Sequence, residues 1–290
     1  MLRTSRGAAL TAAVALAVSL LSALGGTAPA QAVYEPGEPD VSWGVQVPND
    51  ENESYNDVGV SGDVVWVAGT HAVNGDLLHP MLARYDLDGH LLDRKVYPDG
   101  GGWNVTNIVL DAGDWGAVVA GGADGKTFLT RYQPDGTEVW STDLAGVDGY
   151  TTPTAVTVDG DTIVTGSTVG GQFGNWRVDS FDLTTGAHRL SRTMDGTGTL
   201  GSLVSAGGEI VVGGVAIGEM VPGEAVGGEG SYDAVLMALD PADLSTKWAH
   251  QFGTEGDDWV ASLAVSGDTV YWGGNLGNDD DNPYSEAIGG

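Results

Sequence analysis

The stretch SGDVVWVAGT (61–70) returns near the end of the chain as SGDTVYWGGN (266–275). The shared plan is a short apolar alternation, a Gly-acid pair and an apolar run that ends in small residues. Its first half occurs five times, as VGVSGD (58–63), IVLDAGD (108–114), VTVDGD (156–161), LVSAGGE (203–209) and LAVSGD (263–268). Alternation with a period of two, a glycine turn and a β-branched run predict a β-hairpin.

A second hairpin follows the first in each of the first four repeats. The four segments are MLARYDLDGHLLDRKV (81–96), FLTRYQPDGTEVWSTDL (128–144), WRVDSFDLTTGAHRLSRT (176–193) and AVLMALDPADLSTKWAHQF (234–252). Each repeat is therefore expected to hold four antiparallel strands. Units of four short strands at intervals of roughly 45–60 residues, with no helical periodicity between them, are typical of β-propeller blades. The sequence predicts an all-β β-propeller.

The alignment of the two chain ends predicts about five blades. Residues 41–69 align without gaps with residues 246–274, so the chain is expected to begin with a fourth strand and to end with the first strands of a blade. The blades are predicted at about 55–97, 103–144, 150–194 and 198–252, with a fifth formed by 257–290 together with 41–47. Closure by the N-terminal strand would remove exposed sheet edges. The alternative, that the chain is a piece of a larger ring, stays open.

These residues resemble known repeat families. An acidic glycine turn followed by alternating apolar residues and Val-Ala-Gly is similar to the repeats of bacterial secreted β-propeller proteins, over essentially all of 40–290. YQPDGTEVW (132–140) also resembles the repeat of pyrroloquinoline-quinone-type propellers. Two other copies depart from that pattern, because Asp93 and Leu190 stand where Trp140 does. The resemblance implies the propeller fold and does not imply the quinone chemistry.

The first 32 residues have the three regions of a secretory signal peptide. Two arginines precede an apolar stretch from Ala8 to Leu24, and Ala30-Gln31-Ala32 is a small-x-small cleavage site. We therefore expect a signal peptide at 1–32, a mature β-propeller at 33–290, an extracellular location and no membrane association after cleavage. An uncleaved membrane anchor is the alternative. The chain has no cysteine, which excludes disulfides and thiolate metal sites.

The charge of the chain is strongly negative. Its 40 acidic residues all follow residue 32, whereas two of the 11 basic residues precede it. The mature chain thus carries nine basic against 40 acidic residues, a net charge of −31. This surface repels nucleic acid and attracts basic partners or cations, although acidic residues also keep an extracellular protein soluble.

Three aromatic residues are candidates for ligand binding. Trp103, Tyr150 and Trp259 lie where connections on the long-loop face enter the innermost strands. Aromatic rings among carboxylates suit stacking on sugar rings. The alternative interpretation is that the rings pack between blades. A glycan or a protein is therefore the expected ligand, and we expect the protein itself to be a monomer.

Acidic residues supply the candidates for catalysis and metal binding. Asp57 and Asp258 lie near the starts of first strands, and a pair of carboxylates could support glycoside hydrolysis. Asp279, Asp280 and Asp281 could bind Ca²⁺ through oxygen ligands, although a solvated acidic tail explains the run as well. No other cofactor is expected.

The sequence favours a secreted, non-catalytic binding module with an unknown ligand. One alternative is an extracellular glycosidase or lyase that uses carboxylates on the long-loop face. The other is a truncated structural part of a larger surface protein. No regular catalytic constellation recurs in the repeats, which is why the non-catalytic interpretation comes first.

The signal peptide is directly testable. When the full chain is expressed with its own N-terminus in a secreting bacterial host, we expect the exported protein to begin at Val33, because peptidases cut after a small-x-small site. N-terminal sequencing and intact mass of the protein from the medium measure this. A start at Gln31 would place the cut after Ala30 instead. Retention of residues 1–32 on membrane-bound protein would support the uncleaved anchor.

Overall fold

The computed structural model describes residues 53–73, 77–97, 105–123, 126–144, 147, 149, 151–225, 232–267 and 269–277. They form 18 strands. Blade 1 consists of β1 (Glu53–Ser61), β2 (Val64–Val73), β3 (Leu77–Asp86) and β4 (Leu91–Val96). Blade 2 consists of β5 (Val105–Gly113), β6 (Gly116–Ala123), β7 (Lys126–Tyr132) and β8 (Glu138–Asp143).

The second half of the described chain repeats this arrangement. Blade 3 consists of β9 (Ala155–Asp159), β10 (Thr162–Val169), β11 (Asn175–Asp182) and β12 (His188–Thr193). Blade 4 consists of β13 (Thr197–Ala206), β14 (Glu209–Ile217), β15 (Tyr232–Leu239) and β16 (Thr246–Phe252). A final hairpin consists of β17 (Trp259–Ser266) and β18 (Thr269–Asn275). No helix in this described part could cross a membrane.

Each of the four complete sheets is an antiparallel meander in which neighbouring strands follow one another in sequence. The first strand of each sheet contacts the first strand of the next, in the order β1, β5, β9, β13 and β17. The first strands are therefore the innermost ones, which we call the inner strands. This succession of four-stranded blades is the arrangement that the sequence predicts.

The hydrophobic core lies between consecutive blades. Trp66 and Leu82 of blade 1 pack with Ile108 of blade 2. Leu129 of blade 2 packs with Phe181 of blade 3. A third cluster joins blades 3 and 4, with Trp176, Val178, Leu200 and Val212 among its members. Period-two alternation thus points the apolar residues of each sheet toward its neighbours.

The turns between the first two strands follow the predicted Gly-acid pairs in four repeats and differ in one. Gly62, Gly160 and Gly267 have φ values of 57°, 57° and 59°, a conformation that glycine adopts without steric cost. In blade 2 the connection is instead Asp114-Trp115, because the ladder continues to the Gly113–Gly116 pair. Gly113 is therefore the last residue of a strand and is not the turn glycine that the repeat suggested.

In three of the repeats, the glycine that ends the apolar run has a steric cause. Inner strands β1, β13 and β17 each contain a β-bulge, where the carbonyl group of the bulged strand approaches β2, β14 or β18. A Cβ atom added to Gly69, Gly214 or Gly274 would lie 2.0, 2.2 or 1.9 Å from the carbonyl oxygen of Ser54, Thr199 or Trp259 respectively. Only glycine fits opposite these bulges.

The β17–β18 hairpin has exposed aromatic side chains in the described structure. Tyr271 and Trp272 are 58% and 36% exposed, whereas the corresponding strands of the other blades are largely buried. The strands predicted to complete this blade, at 41–47 and 283–290, lie outside the described residues, as does the signal peptide at 1–32. The predicted closure of the ring therefore stays a prediction.

The bulge explanation predicts opposite outcomes for two neighbouring glycines. Gly274→Ala would place a Cβ atom against the Trp259 carbonyl group, so we expect it to lower the free energy of unfolding by about 1–3 kcal/mol. Gly273→Ala is the matched control, because its Cβ atom would meet only the Ser262 hydroxyl group at 3.2 Å, and we expect a change within about 0.5 kcal/mol. Urea unfolding followed by tryptophan fluorescence measures both. Equal losses in the two variants would contradict the explanation.

Candidate functional site

Side chains on the inner strands connect each blade to the next. At four successive junctions, a side-chain oxygen accepts a hydrogen bond from a backbone amide of the following inner strand. The pairs are Asp57 Oδ2 with Leu110 N (2.9 Å), Asp111 Oδ2 with Val158 N (2.7 Å), Thr157 Oγ1 with Ser205 N (3.1 Å) and Ser202 Oγ with Leu263 N (3.1 Å). These bonds satisfy amide groups on strand edges that no fifth strand covers.

Two further side chains make junction bonds of the opposite polarity. Asn107 Nδ2 donates to the Pro153 carbonyl group (3.4 Å), and Thr154 Oγ1 donates to the Leu200 carbonyl group (2.7 Å). Asn107 and Ser202 directly follow the bulges of their inner strands, as Asp57 does. The residue after the bulge is therefore a polar residue that serves the junction.

A cavity of about 330 Å³ lies where four blades meet. Its lining includes Asp111, Trp115, Thr157, Ser205 and Val265, which come from or adjoin the inner strands of blades 2, 3 and 4 and of the final hairpin. Because successive inner strands line it, this cavity lies on the axis around which the blades are arranged. It opens beside the short turns, on the face opposite to the long connections that we expected to carry function.

Two carboxyl groups near this axis have perturbed acidity. Burial raises the pKa of Asp57 to about 6, although hydrogen bonds from the Leu110 and Val58 amides act in the other direction. Burial also raises the pKa of Asp111 to about 6, opposed chiefly by the Val158 amide. Desolvation of the charged form is the dominant cause in both groups.

Asp258, the second predicted catalytic candidate, is fully buried. Its carboxylate accepts hydrogen bonds from the amides of Thr254 (2.6 Å) and Gly277 (2.8 Å) and from the Thr254 hydroxyl group (3.1 Å). These contacts tie the segment before β17 to the segment after β18. In the described structure, Asp57 and Asp258 have separate hydrogen-bond partners, and a catalytic role for these two residues stays a prediction.

The predicted aromatic site is described only in part. Trp259 lies at the start of β17 and is 40% exposed, which leaves part of its ring accessible to a ligand. Trp103 and Tyr150 lie outside the described residues. The three-residue aromatic site on the long-loop face therefore stays a prediction.

The metal candidates gain no support beyond the sequence. Asp279, Asp280 and Asp281 lie outside the described residues, so Ca²⁺ binding there stays a prediction. A different group, Asp86, Asp88 and His90, brings potential ligand atoms within 4.8 Å of one another. There, Asp86 Oδ1 accepts hydrogen bonds from the amides of Asp88 (2.9 Å) and His90 (2.8 Å), which is an ordinary side-chain-stabilised hairpin turn.

A serine, a histidine and an aspartate also meet in blade 3, but not as a catalytic triad. The same His188 nitrogen, Nε2, lies 3.2 Å from Asp179 Oδ1 and 3.0 Å from Ser191 Oγ. A triad needs the serine and the acid on opposite nitrogens of the imidazole ring. Arg177 also binds Asp179 through two hydrogen bonds of 2.7 and 2.8 Å. The cluster is an ion-pair network on outer strands.

The junction residues Asp111, Thr157 and Ser202 were not singled out by the sequence. Their signal is a polar residue inside an otherwise apolar inner strand. That signal is irregular in spacing, because Ser202 directly follows a bulge, Asp111 lies four residues beyond Asn107, and β9, which carries Thr157, has no bulge.

Comparison with known proteins supports the fold. No protein-family model and no curated protein matches the chain. The WD40 domain of Neurospora crassa Pan2 superposes with a TM-score of 0.53 at 11% identity, over 80% of this chain and 59% of that chain. The quinohemoprotein alcohol dehydrogenase of Comamonas testosteroni gives a TM-score of 0.48 at 16% identity, over 72% of this chain and 38% of that chain. BamB of Moraxella catarrhalis gives 0.41 at 11% identity, over 78% and 65%.

The Pan2 likeness, at its low identity, shows the fold alone. Together with the four-stranded antiparallel sheets, it confirms the predicted β-propeller. This chain spans 59% of the length of the Pan2 WD40 chain that it matches.

The raised pKa of Asp111 predicts a pH dependence of stability. Because its folded pKa of about 6 exceeds the ordinary value of 3.8, the folded state binds the proton more tightly than the unfolded state. This contribution to stability is complete below about pH 4 and is lost as the pH rises through 6. We expect the free energy of unfolding of the wild type to fall relative to that of Asp111→Asn between pH 4 and 7, by up to about 3 kcal/mol.

Urea unfolding at pH 4, 5, 6 and 7 measures this difference. Asp88→Asn removes the same charge at an exposed position and is the matched control. A difference between wild type and Asp111→Asn that stays constant across this range would contradict the prediction.

Proposed function

We propose that the chain is an exported, non-catalytic β-propeller that binds a protein partner with a basic surface. The observation that carries the proposal is the use of the axial carboxylates. Asp57 and Asp111 bind backbone amides of the following blades, so they serve the scaffold. Because backbone amides occupy these two carboxylates, the feature that remains for recognising a partner is the negative charge of the surface.

The enzyme alternative has one observation in its favour. A pKa of about 6 is what a carboxylic acid needs to act as a general acid near neutral pH, and both Asp57 and Asp111 have it. However, each of these acids accepts a main-chain hydrogen bond within the scaffold, and a glycosidase needs two carboxyl groups that face a substrate from opposite sides. The raised pKa values have burial as their cause and need no substrate to explain them. We therefore do not propose a glycosidase or lyase.

The charge distribution specifies the partner. Within the described structure, basic residues that make hydrogen bonds or ion pairs include Arg84, Lys95, Arg131, Arg177, Arg189, Arg192 and Lys247. The 40 acidic residues far outnumber them. The surplus carboxylates give the surface a negative potential, which accelerates encounter with basic proteins and excludes acidic ones.

The remaining parts of the proposal rest on the sequence. Export follows from the signal peptide at 1–32, and the protein would act as a monomer outside the cell. A glycan ligand at Trp103, Tyr150 and Trp259 and Ca²⁺ at Asp279 to Asp281 remain proposals of lower rank. Both concern residues that lie mostly outside the described part of the chain.

The test compares defined partners under controlled salt. The mature chain, residues 33–290, is immobilised and exposed to a panel of extracellular proteins matched in size, half of them basic and half acidic. We expect saturable binding of basic members, with dissociation constants that rise at least roughly tenfold between 50 and 300 mM salt because the attraction is screened. Biolayer interferometry measures both sets.

A glycan array and a glycoside hydrolysis screen are run on the same protein. Equal binding of acidic and basic proteins would contradict the proposal. Hydrolysis that Asp111→Asn abolishes while the variant stays folded would replace it with the enzyme alternative. Saturable glycan binding without protein binding would replace the protein partner with a glycan.

A further inference from the structure

Arginines of the third strands connect consecutive blades near their outer edges. Arg84 Nη1 of blade 1 donates to the Pro134 carbonyl group in the β7–β8 turn of blade 2 (3.0 Å). Arg131 Nη1 of blade 2 donates to the Leu183 carbonyl group in the β11–β12 turn of blade 3 (3.0 Å). The Arg84 guanidinium group also lies 5.1 Å above the Trp66 ring. The same side chain therefore fills the same space at two junctions.

The third junction lacks this arginine. In the sequence, Arg84 precedes Tyr85, Arg131 precedes Tyr132, and Ser180 precedes Phe181 in the same way. The ladder confirms the equivalence, because Arg84, Arg131 and Ser180 each pair with a residue three positions into the second strand: Trp66, Val118 and Val164 respectively. Serine is too short to reach the next blade. Leu190 also replaces Trp140, the neighbour of Arg131 on the fourth strand.

A cavity occupies the place of the missing side chains. The blade 3–4 pocket has a volume of about 370 Å³ and is lined by Asp159, Asp161, Ser180, Arg189, Leu190 and Pro241, among others. At the junction of blades 1 and 2, where Arg84 is present, the corresponding cavity measures about 130 Å³. The larger volume is within the range of pockets that hold small ligands.

Two polar groups of residues that line the blade 3–4 pocket have no side-chain hydrogen-bond partner in the described structure. Ser180 is 1% exposed, and its hydroxyl oxygen has no hydrogen-bond partner. Pro241 occupies the position of Pro134 and Leu183, whose carbonyl groups accept the arginine bonds. In the described structure, no side chain donates to the Pro241 carbonyl group. A buried polar atom without a partner is costly, so the Ser180 hydroxyl oxygen is an acceptor for a donor from outside, and Pro241 lines the same pocket.

The junction itself is held by a different arginine. Arg192, on β12, donates to the Leu244 carbonyl group and, at 2.7 Å, to Thr246 Oγ1 of blade 4. These contacts lie at the far end of the β15–β16 turn. The blades therefore stay attached, and the pocket at the near end of the turn remains open.

The charge of the blade 3–4 pocket selects a cation. Arg189 donates to Asp161 (3.1 Å) and Asp182 (2.5 Å), while Asp159 accepts a bond from Ser205 (2.7 Å). Two carboxylates thus bind the one guanidinium group, and Asp159 adds a third carboxylate to the lining of the pocket, which leaves an excess of negative charge. A planar cation with several N–H donors can serve carboxylate, hydroxyl and carbonyl acceptors at once, and guanidinium is such a group.

We propose that the blade 3–4 pocket binds the guanidinium group of an arginine that comes from outside the chain. The incoming group would occupy the space that Arg84 and Arg131 fill at the junctions of blades 1 and 2 and of blades 2 and 3. Where the arginine belongs to the basic protein partner, this inference rests on the proposed function and names the group by which that partner would be recognised. The same guanidinium chemistry is available from free arginine, and the experiment separates these two sources.

The test uses the mature chain, residues 33–290, and four small probes. N-acetyl-argininamide represents an arginine within a polypeptide, and free arginine represents the amino acid. N-acetyl-lysinamide keeps the charge without the planar fork, and N-acetyl-citrullinamide keeps the shape without the charge. Chemical-shift titration by NMR gives the affinities. We expect saturable binding of N-acetyl-argininamide, at least roughly fivefold weaker binding of the lysine probe, and no saturation with the citrulline probe.

Variants of the pocket make the test specific. Ser180→Arg supplies the side chain present in blades 1 and 2 and should weaken N-acetyl-argininamide binding at least roughly tenfold. Ser54→Arg adds the same charge at an exposed residue of blade 1 and should leave the affinity unchanged. Leu190→Trp introduces the residue that blade 2 has at the equivalent position and should also weaken binding. This second variant keeps the test decisive if Ser180→Arg does not fold. Circular dichroism checks each fold.

The results of these titrations and of the protein-binding test distinguish a failure of the pocket from a failure of the proposed function. Equal affinity in the wild type, Ser180→Arg and Leu190→Trp, or no saturation with either arginine probe, would overturn the pocket. Binding of free arginine without binding of N-acetyl-argininamide would identify a free amino acid as the ligand and overturn the link to a protein partner. Pocket binding together with failure of the basic proteins to bind would leave the pocket in place and remove the proposed function.

Discussion

The structure depends on how the exposed edge of each inner strand is satisfied. A four-stranded blade leaves one row of backbone amides and carbonyl groups facing the axis, and such an edge is costly to bury without partners. Side chains of the preceding blade supply those partners at four junctions, from Asp57 to Ser202. The same residues therefore complete the hydrogen bonding of one blade and fix its position relative to the next.

The hydrogen bonding between inner strands changes how the acidic residues near the axis are interpreted. A buried carboxyl group with a raised pKa is a common sign of catalysis. Here burial between blades produces the shift, and a backbone amide accounts for the position of each group. The geometry of the junction explains Asp57 and Asp111 without a substrate. The recognition properties of the protein are therefore to be sought in its surplus negative charge and in departures from the repeat.

Much of the fold could be predicted because local chemistry repeats. Period-two alternation and Gly-acid turns specify hairpins, and their recurrence specifies blades. The junctions could not be predicted, because the polar residue that makes the bond lies at different distances from the bulge in different blades, and β9 has no bulge. Asp258 illustrates the limit, since the sequence shows an acid before a first strand but does not show that its carboxylate accepts hydrogen bonds from the amides of Thr254 and Gly277. The sequence shows which residue is polar but not which amide lies opposite it.

In a repeat protein, each position can be compared with the equivalent position in the other repeats. The spacing of Gly69 and Gly274 recurs because the same carbonyl group approaches the same place, so recurrence of a residue indicates a structural requirement. The converse also holds: where a structural role is filled by Arg84 and Arg131 and is vacated at Ser180, the scaffold has given up a contact that the two preceding junctions keep. The replacement contact through Arg192 maintains the junction without closing the space. Divergence among the copies, more than their shared motif, is therefore where a binding function would be expected to lie in this fold.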